Sequence, residues 1–413
     1  MPTNHNTIIV GAGQAGLAAS YHLKQRGIDH IVLNKGRIGE SWITQRWDSF
    51  VLNTPNVINS LPGKPFYPAN PRNFEPTNAL VKYLDDYATE MELPIKNGVT
   101  VTSATRNADG ITIDVSTDQG DYQATNLIVA SGNQNIPVRP AAADQVPANV
   151  TNLDTTEYKN ADQLPAGSVL VVGSAQSGAQ IAEDLLKQGR TVYLSTSKVG
   201  RFRRHIRGKD VMEWVIAAGM MNHTPDSLEN PADQHATQPL ASGLDGGQTL
   251  SLQSIAAKGV NLLGRIIKFE GTAAVLKGDL RNNIEFADAF SARIIGMINP
   301  AIDKMAPGTP PLDDEPADNP APTTLGVDAP TRLDLNEAGI TSIIWTTGFE
   351  GDYSWIDIDG HGVEHRRPVQ KNGASPAQGL YFIGTPWLRT RGSGIIYGVD
   401  KDAEAIAQAI AAN

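Results

Sequence analysis

Cysteine is absent from all 413 positions of the chain. Disulfide frameworks, thiolate zinc sites, iron–sulfur clusters and redox-active Cys-x-x-Cys pairs are therefore excluded. Any redox chemistry has to run through a bound cofactor. Long apolar runs are missing too: nothing approaches the roughly eighteen residues that would pattern a membrane-spanning helix. The opening Met-Pro-Thr-Asn-His-Asn lacks the basic region of a secretory signal, so a cytoplasmic location is expected. Positive charge is scarce, with 34 Lys and Arg against 44 Asp and Glu and a formal net charge of −10. That balance argues against a nucleic-acid or membrane-surface partner, either of which needs clustered cations. The eight histidines are scattered, with no triad or metal-ligand spacing. His361 and His365 flank a glycine-containing turn and read as surface residues.

What is present is glycine at telling intervals. A strand-like run Thr7 to Val10 leads into Gly11-Ala-Gly13-Gln14-Ala15-Gly16, then a helical stretch Leu17 to Arg26 closed by Gly27, then a second strand, His30 to Leu33. This is the dinucleotide-binding unit: Gly11 makes the turn, Gly13 admits a pyrophosphate, and Gly16 lets helix meet strand. The pyrophosphate is expected on the helix N-terminus, where free N–H groups point outward. An acidic residue usually closes the second strand to grip the ribose. Here Asn34 followed by Lys35 takes that place, and Asn34 is expected to bind a hydroxyl without charge assistance.

The pattern recurs as strand Ser168 to Val172, turn Gly173-Ser174-Ala175-Gln176-Ser177-Gly178, helix Ala179 to Gln188 and strand Thr191 to Ser195. Two units imply two dinucleotides. After the last strand come Ser195, Thr196, Lys198 and Arg201, then further arginines. Hydroxyls followed by cations suit a 2′-phosphate, which points to NADPH, with NADH possible. The alternative is a basic segment whose arginines pair with surface carboxylates.

Two more segments resemble each other, Asn126 to Asn133 with Ala130-Ser131-Gly132, and Ser342 to Phe349 with Thr347-Gly348. They read as the strands where the chain crosses between domains. The expected fold is α/β, with two Rossmann-like dinucleotide-binding domains, the second inserted in the first. Residues 1–160 and 341–413 would form one domain and 161–340 the other, with a loop-rich insertion at about 220–330. Ala306 to Pro330 holds seven prolines and a group of acids. It reads as a stiff exposed connection, or alternatively as a lid.

Several ordered motifs carry a family resemblance. They are the two glycine turns, Gly39-Glu40-Ser41-Trp42, Arg46-Trp47-Asp-Ser-Phe-Val-Leu-Asn53-Thr-Pro, Ala130 to Gln134, Trp345 to Gly348, Gly379 to Gly384, and Arg391-Gly-Ser-Gly394. Over essentially its whole length the chain resembles the class B flavoprotein monooxygenases (flavin-containing, YUCCA-type and Baeyer–Villiger), most closely the short bacterial CzcO-like flavoproteins. The resemblance implies FAD on the first unit and NADPH on the second. It implies FAD contacts from Glu40, Ser41 and Trp42, and a cofactor-side position for Arg46, Trp47, Val101, Ala130, Ser131, Gly132, Gly384 and Ser393. Asn53 falls where relatives place an Asn or His over the flavin ring, which makes it the catalytic candidate. A helix from about Ile395 to Ala412 would aim its N-terminus at the flavin O2 and stabilise negative charge there. The implied activity is reduction of FAD by NADPH, addition of O2 to give a C4a-(hydro)peroxyflavin, and oxygenation of a small organic amine, sulfide or ketone. A homodimer would be unsurprising.

The resemblance is incomplete. Flavin-containing monooxygenases carry Phe-x-Gly-x-x-x-His, then Ser or Thr, then Tyr-Lys. Here those places hold Ala148, Val150 and Asp154, and only Thr155, Tyr158 and Lys159 agree. The Trp of the Baeyer–Villiger fingerprint is also missing. Three readings stay open: a monooxygenase, an NAD(P)H-dependent flavin reductase or oxidase without oxygen insertion, and a non-catalytic nucleotide-binding flavoprotein.

Overall fold

The first glycine unit builds strand β1 (Thr3–Val10), helix α1 (Gln14–Gln25) and strand β2 (His30–Asn34). The strand begins four residues earlier than its apolar run, because Thr3 to Asn6 lie largely exposed and only Thr7 to Val10 are buried. A computed structural model describes residues 1–66, 70–364 and 366–412. In it β1 pairs in parallel with β2 on one side. The sheet continues through β3 (Ile95–Asn97), β4 (Val101–Arg106), β5 (Ile113–Thr117) and β6 (Gly120–Val129), with β6 on the other side of β1. Two short strands from the far end of the chain, Ile356–Asp357 and Leu380–Phe382, complete an eight-stranded sheet. Its central strands bury both faces, with Ile8, Ile9, Leu127 and Ile128 fully enclosed, which is why they read as continuous apolar runs.

The second sheet is parallel throughout. It consists of β7 (Thr151–Asp154), β8 (Ser168–Val172), β9 (Val192–Ser195), β10 (Asn261–Leu263) and β11 (Ile340–Trp345), in the order β10-β9-β8-β11-β7. Helix α2 (Gln176–Lys187) joins β8 to β9. Two Rossmann-like units are therefore present, and the fold is α/β as expected. The strand pairings run slightly past the expected boundaries: β7 precedes 161 and β11 extends beyond 340, the two lying side by side. The four half-buried residues of β7 gave no apolar signal. Ser342 to Trp345 is thus a strand inside the second sheet. The crossing itself follows it, where Phe349–Glu350 pairs antiparallel with Ile136–Pro137 from the other crossing.

The insertion adds a three-stranded antiparallel sheet and the long helix α3 (Leu280–Met305). The proline-rich segment is pinned rather than free. Arg207 donates to the carbonyls of Pro310 (2.7 Å) and Thr309 (3.1 Å), Gln253 to that of Asn319 (2.7 Å), and Arg281 to that of Pro322 (2.8 Å). Prolines cannot donate, so their segment is held through its carbonyls. This favours a stiff connection over a lid. Among the described residues no helix is long and apolar enough to cross a membrane, and no group of three or more His, Asp or Glu could hold a metal ion.

Candidate active site between two nucleotide loops

At the first loop, packing dictates two glycines and leaves the third to a ligand. Gly11 has φ +109°, and a Cβ there would lie 2.5 Å from the Ala130 carbonyl oxygen; at Gly16 it would lie 1.9 Å from the Gly11 oxygen. At Gly13 a Cβ would meet nothing within 4 Å. The protein itself makes no demand on that position, whereas close approach of a diphosphate does. Helix α1 has no side-chain cap and no acidic residue in its first turn, so its N-terminal donors remain available to an anion. The Ser131 hydroxyl, next to Ala130, is buried without a partner among the described residues. This donor set fits a dinucleotide.

Asn34 has a different task from the one expected. Its carbonyl accepts from the Ala12 N–H (3.0 Å), and its amide donates to the Gly36 carbonyl and to Asn97 Oδ1 (both 2.8 Å). It braces the glycine turn instead of offering a free group to a ribose. An acid here would accept from Ala12 but face two further acceptors with no proton to give, which accounts for Asn. Lys35 is exposed. Glu40 is clasped by Arg37, whose Nε and backbone N–H both reach Oε2 at 2.9 Å, and that hydrogen bonding holds its carboxyl below the usual range. Ser41 is exposed on the same short helix.

Around these, Trp42 donates to Gln14 Oε1 (3.2 Å), and the Arg46 guanidinium sits 5.1 Å from the Trp42 ring and 5.5 Å from that of Phe50. Arg46 bonds Gln134 and the Gln45 carbonyl but has no carboxylate partner among the described residues, and burial lowers its pKa to about 10. Trp47 is buried edge-on to Phe50. Val101 opens β4 two residues after Val99, whose N–H donates to the Asn34 carbonyl. Gly132 turns with φ +85°. A Cβ on Gly384 would lie 2.9 Å from that of Ala15, so the C-terminal segment abuts the first loop. Ser393 is consumed within its own turn: its Oγ accepts from Arg389 and Thr390 N–H and donates to Asp402 Oδ1, all at 3.1 Å. Asp402 is buried, and burial raises its carboxyl to about 6.

The second loop repeats the geometry. Gly173 has φ +105°, and a Cβ on Gly178 would lie 1.9 Å from the Gly173 oxygen. Ala175 stands where Gly13 stands in the first, and α2 likewise lacks a side-chain cap and an early acid. A cleft of about 300 Å³ opens here, lined by Gly173 to Ala175, Ser195 to Ser197, Arg265, and Trp345 to Gly348. Gln176 and Ser177 start the helix beside it. Thr347 turns its hydroxyl to the Val138 carbonyl.

Three residues expected at a 2′-phosphate are committed elsewhere. The Ser195 hydroxyl donates to the Gly264 carbonyl (3.1 Å), and that of Thr196 to the Leu263 carbonyl (2.8 Å). Arg201 is 1% exposed and forms ion pairs with Asp288 (2.8 Å) and Asp318. A buried guanidinium needs carboxylates, and α3 and the acidic loop supply them. Arg203 bonds the Asp313 carbonyl, Arg204 pairs with Asp210 (2.6 Å) and Arg207 with Asp303 (2.6 Å); Arg201, Arg203 and Arg204 are buried, so this stretch is not the solvated basic segment of the alternative reading either. Lys198 stays exposed, 5.9 Å from the Phe286 ring. Arg265 was not anticipated: it lines the cleft from just beyond β10, and its side chain makes no hydrogen bond among the described residues. Only the pairing of β10 with β9 brings it there.

Asn53 lies where the two units meet. Its Nδ2 donates to Gln176 Oε1 (2.6 Å), its Oδ1 accepts from Gln180 Nε2 (2.8 Å), and its backbone carbonyl accepts from Arg204 (2.9 Å). Two of the three surviving fingerprint residues, Tyr158 and Lys159, fasten the same junction. Tyr158 donates to Asp184 (2.6 Å), which also accepts from Ser49 (2.5 Å). Lys159 reaches the Arg46 carbonyl (2.9 Å), and Thr155 the Trp345 carbonyl (2.8 Å). Asp154, at the position of the missing His, pairs with Arg139 (2.7 Å). His361 accepts from the Val363 N–H (2.9 Å), while His365 lies outside the described residues.

Two glycine turns, each opening an uncapped helix and joined through one asparagine, define a two-dinucleotide oxidoreductase. Residues 8–218 match the family of pyridine nucleotide-disulphide oxidoreductases, and the chain belongs to that family. It is 33% identical to a CzcO-like oxidoreductase of Geobacillus kaustophilus over 97% of this chain and 96% of the relative. It is 30% identical to the probable indole-3-pyruvate monooxygenase YUCCA4 of Arabidopsis thaliana over 44% of each. The flavin-containing monooxygenase from Stenotrophomonas maltophilia shares the fold, with a TM-score of 0.68 at 16% identity over 99% of both chains. With no cysteine, the disulphide chemistry in the family's name has no counterpart among these side chains.

Proposed function

We propose that the chain is an FAD-dependent monooxygenase that draws electrons from NADPH and oxygenates a small organic substrate by N-, S- or Baeyer–Villiger-type oxidation. One oxygen atom of O2 goes to the substrate. The other leaves as water, with NADPH and one solvent proton supplying the reducing equivalents. FAD, when bound, supplies the electron relay and the activation of O2. The first loop, with Gly13 and the α1 N-terminus, would hold the FAD diphosphate. The second, with Gly173 to Ala175 and α2, would hold that of NADPH, and Arg265 with Lys198 would meet the 2′-phosphate. An NADPH-consuming reaction also suits the cytoplasm.

The observation that carries this reading is Asn53, whose amide is held by Gln176 and Gln180 between the two nucleotide loops, where an electron donor and its acceptor have to meet. The reductase alternative drew its support from the altered fingerprint. Asp154 ends β7 and pairs with Arg139, away from both glycine turns, so its substitution takes no donor from either loop.

Anaerobic addition of NADPH or NADH to the purified flavin-loaded protein tests the electron path. Bleaching at least tenfold faster with NADPH is expected. Equal rates would remove the 2′-phosphate assignment, and no bleaching by either would overturn the reading.

A further inference from the structure

One arginine of the basic segment after β9 reaches across to the first unit. Arg201, Arg203 and Arg207 bond the acidic loop, α3 or their own neighbours. Arg204 instead donates from Nη1 to the Asn53 carbonyl at 2.9 Å. Its Nε donates to Asp210 Oδ2 (2.6 Å), and the other Asp210 oxygen caps the short helix Val211–Ala217 by accepting from the Met212 N–H (2.8 Å). The guanidinium stands 4.5 Å from the centre of the Phe74 ring, on the segment that pairs with the Asn53 loop through the Leu52 N–H and the Glu75 carbonyl (2.9 Å). The Arg204 backbone N–H donates to Thr249 Oγ1 (2.9 Å), whose hydroxyl donates to Glu315 of the proline-rich loop (3.1 Å).

The insertion presses closely on this place. A Cβ on Gly243 would lie 1.9 Å from the Leu52 carbonyl oxygen, and one on Gly247 would lie 2.7 Å from the Phe74 ring and 3.3 Å from Arg204 Nε. Arg204 is 1% exposed, and its Nη2 is buried without a partner among the described residues. Burial disfavours its charge, and Asp210 offsets that only in part. An apolar side chain would fill the same space with no unmet donor, so packing alone does not account for a guanidinium here. The Asn53 carbonyl does. Gln176 and Gln180 hold the Asn53 amide at its tip, while Arg204 holds the backbone from which that side chain springs. A planar guanidinium can fix a carboxylate and a carbonyl in one rigid arrangement.

We propose that Arg204 is a positioning residue for Asn53: anchored on Asp210, it clamps the Asn53 carbonyl and thereby sets where the Asn53 amide stands between the two nucleotide loops. That the amide so placed serves oxygen transfer rests on the monooxygenase reading; the clamp itself does not.

Two measurements on the FAD-loaded protein test this, hydrogen exchange of the backbone amides in residues 51–56 and the fraction of NADPH electrons recovered as hydrogen peroxide. Arg204→Gln strips Asp210 of its charge partner and endangers the fold, whereas Arg204→Lys keeps a charge there without the guanidinium fork. Exchange across 51–56 should accelerate about tenfold in Arg204→Lys, the effect of one charge-assisted hydrogen bond, and remain parental in Thr7 to Val10. Parental exchange in 51–56 overturns the proposal. The peroxide fraction should rise in Arg204→Lys, yet Asn53→Ala combined with Arg204→Lys should release no more than Asn53→Ala alone, because no amide is left to place. Additive increases would mean that Arg204 acts elsewhere, and would overturn the proposal too. Faster exchange in 51–56 with parental peroxide in every variant would uphold the clamp and remove Asn53 from the chemistry, so the two failures are distinct.

Discussion

Asn53 and Gln176 meet across the boundary between the two nucleotide units, the asparagine Nδ2 donating to the glutamine Oε1 at 2.6 Å. Gln180 closes the arrangement by donating to the Asn53 oxygen, so one amide from the first unit satisfies two from the second. Asn53→Ala removes one hydrogen bond from each half-buried glutamine while leaving their bonds to the Pro239 and Ala241 carbonyls, a loss of about 1–3 kcal/mol for the two bonds together. Urea unfolding should show a destabilisation within that range. Reduction by NADPH should persist, while the fraction of NADPH electrons recovered as hydrogen peroxide should rise. A variant as tightly coupled as the parent would remove Asn53 from the chemistry.

The first loop separates ligand demands from packing demands. Gly13→Val places its side chain in space that no protein atom occupies, so the melting temperature of the apoprotein should stay unchanged while flavin content falls sharply. Gly16→Ala drives a Cβ to 1.9 Å from the Gly11 oxygen and should lower both. Flavin absorbance per mole of protein, with a thermal melt of each apoprotein, checks this pair.

Much of this was legible in the sequence because backbone geometry restricts residue choice most strongly at the glycine turns. Gly11, Gly16, Gly173 and Gly178 are required by contacts within a few residues of each other or with one neighbouring strand, and such local constraints survive in a linear reading. Side chains whose partners lie far along the chain did not. Asn34 looked like a ribose ligand until Asn97 lay beside it, and Arg201 like a phosphate ligand until α3 and the acidic loop brought Asp288 and Asp318 to it. Arg265 shows the converse: its place in the cleft depends on a strand of three residues too short to carry a pattern.

That contrast gives a paired expectation. Arg201→Ala uncovers two carboxylates in a buried setting and should cost about 3–5 kcal/mol of stability, with the ratio of NADPH to NADH use unchanged. Arg265→Ala should leave stability within about 0.5 kcal/mol, as is usual for exposed positions. It should raise the KM for NADPH roughly 10- to 100-fold and leave NADH unaffected, the effect of one charge-assisted hydrogen bond. Unfolding curves and steady-state kinetics with each nucleotide distinguish the two roles, and a shift in nucleotide preference from Arg201→Ala would reverse them.

Asp402 gives the fold a pH dependence of definite sign. Burial lifts its carboxyl from 3.8 to about 6, so between those values the folded state binds the proton that the unfolded state has released. Stability from this group is therefore complete below about pH 4 and is lost as pH rises through about 6, on the order of 2–3 kcal/mol in all. Asp402→Asn cannot ionise. Its stability relative to the parent should grow over that interval and level off above it, as measured by urea unfolding at a series of pH values. A constant difference would mean that the carboxyl titrates normally.

The oxygen reaction tests the monooxygenase reading most directly. The flavin is reduced anaerobically with NADPH, O2 is admitted, and the spectrum is followed by stopped flow while hydrogen peroxide is measured. The expected result is a species distinct from both reduced and oxidised flavin, longer-lived with NADP+ present and releasing peroxide only as it decays. Immediate return of the oxidised spectrum with stoichiometric peroxide, unaffected by NADP+, would contradict oxygen transfer and leave an NADPH oxidase on the same two loops.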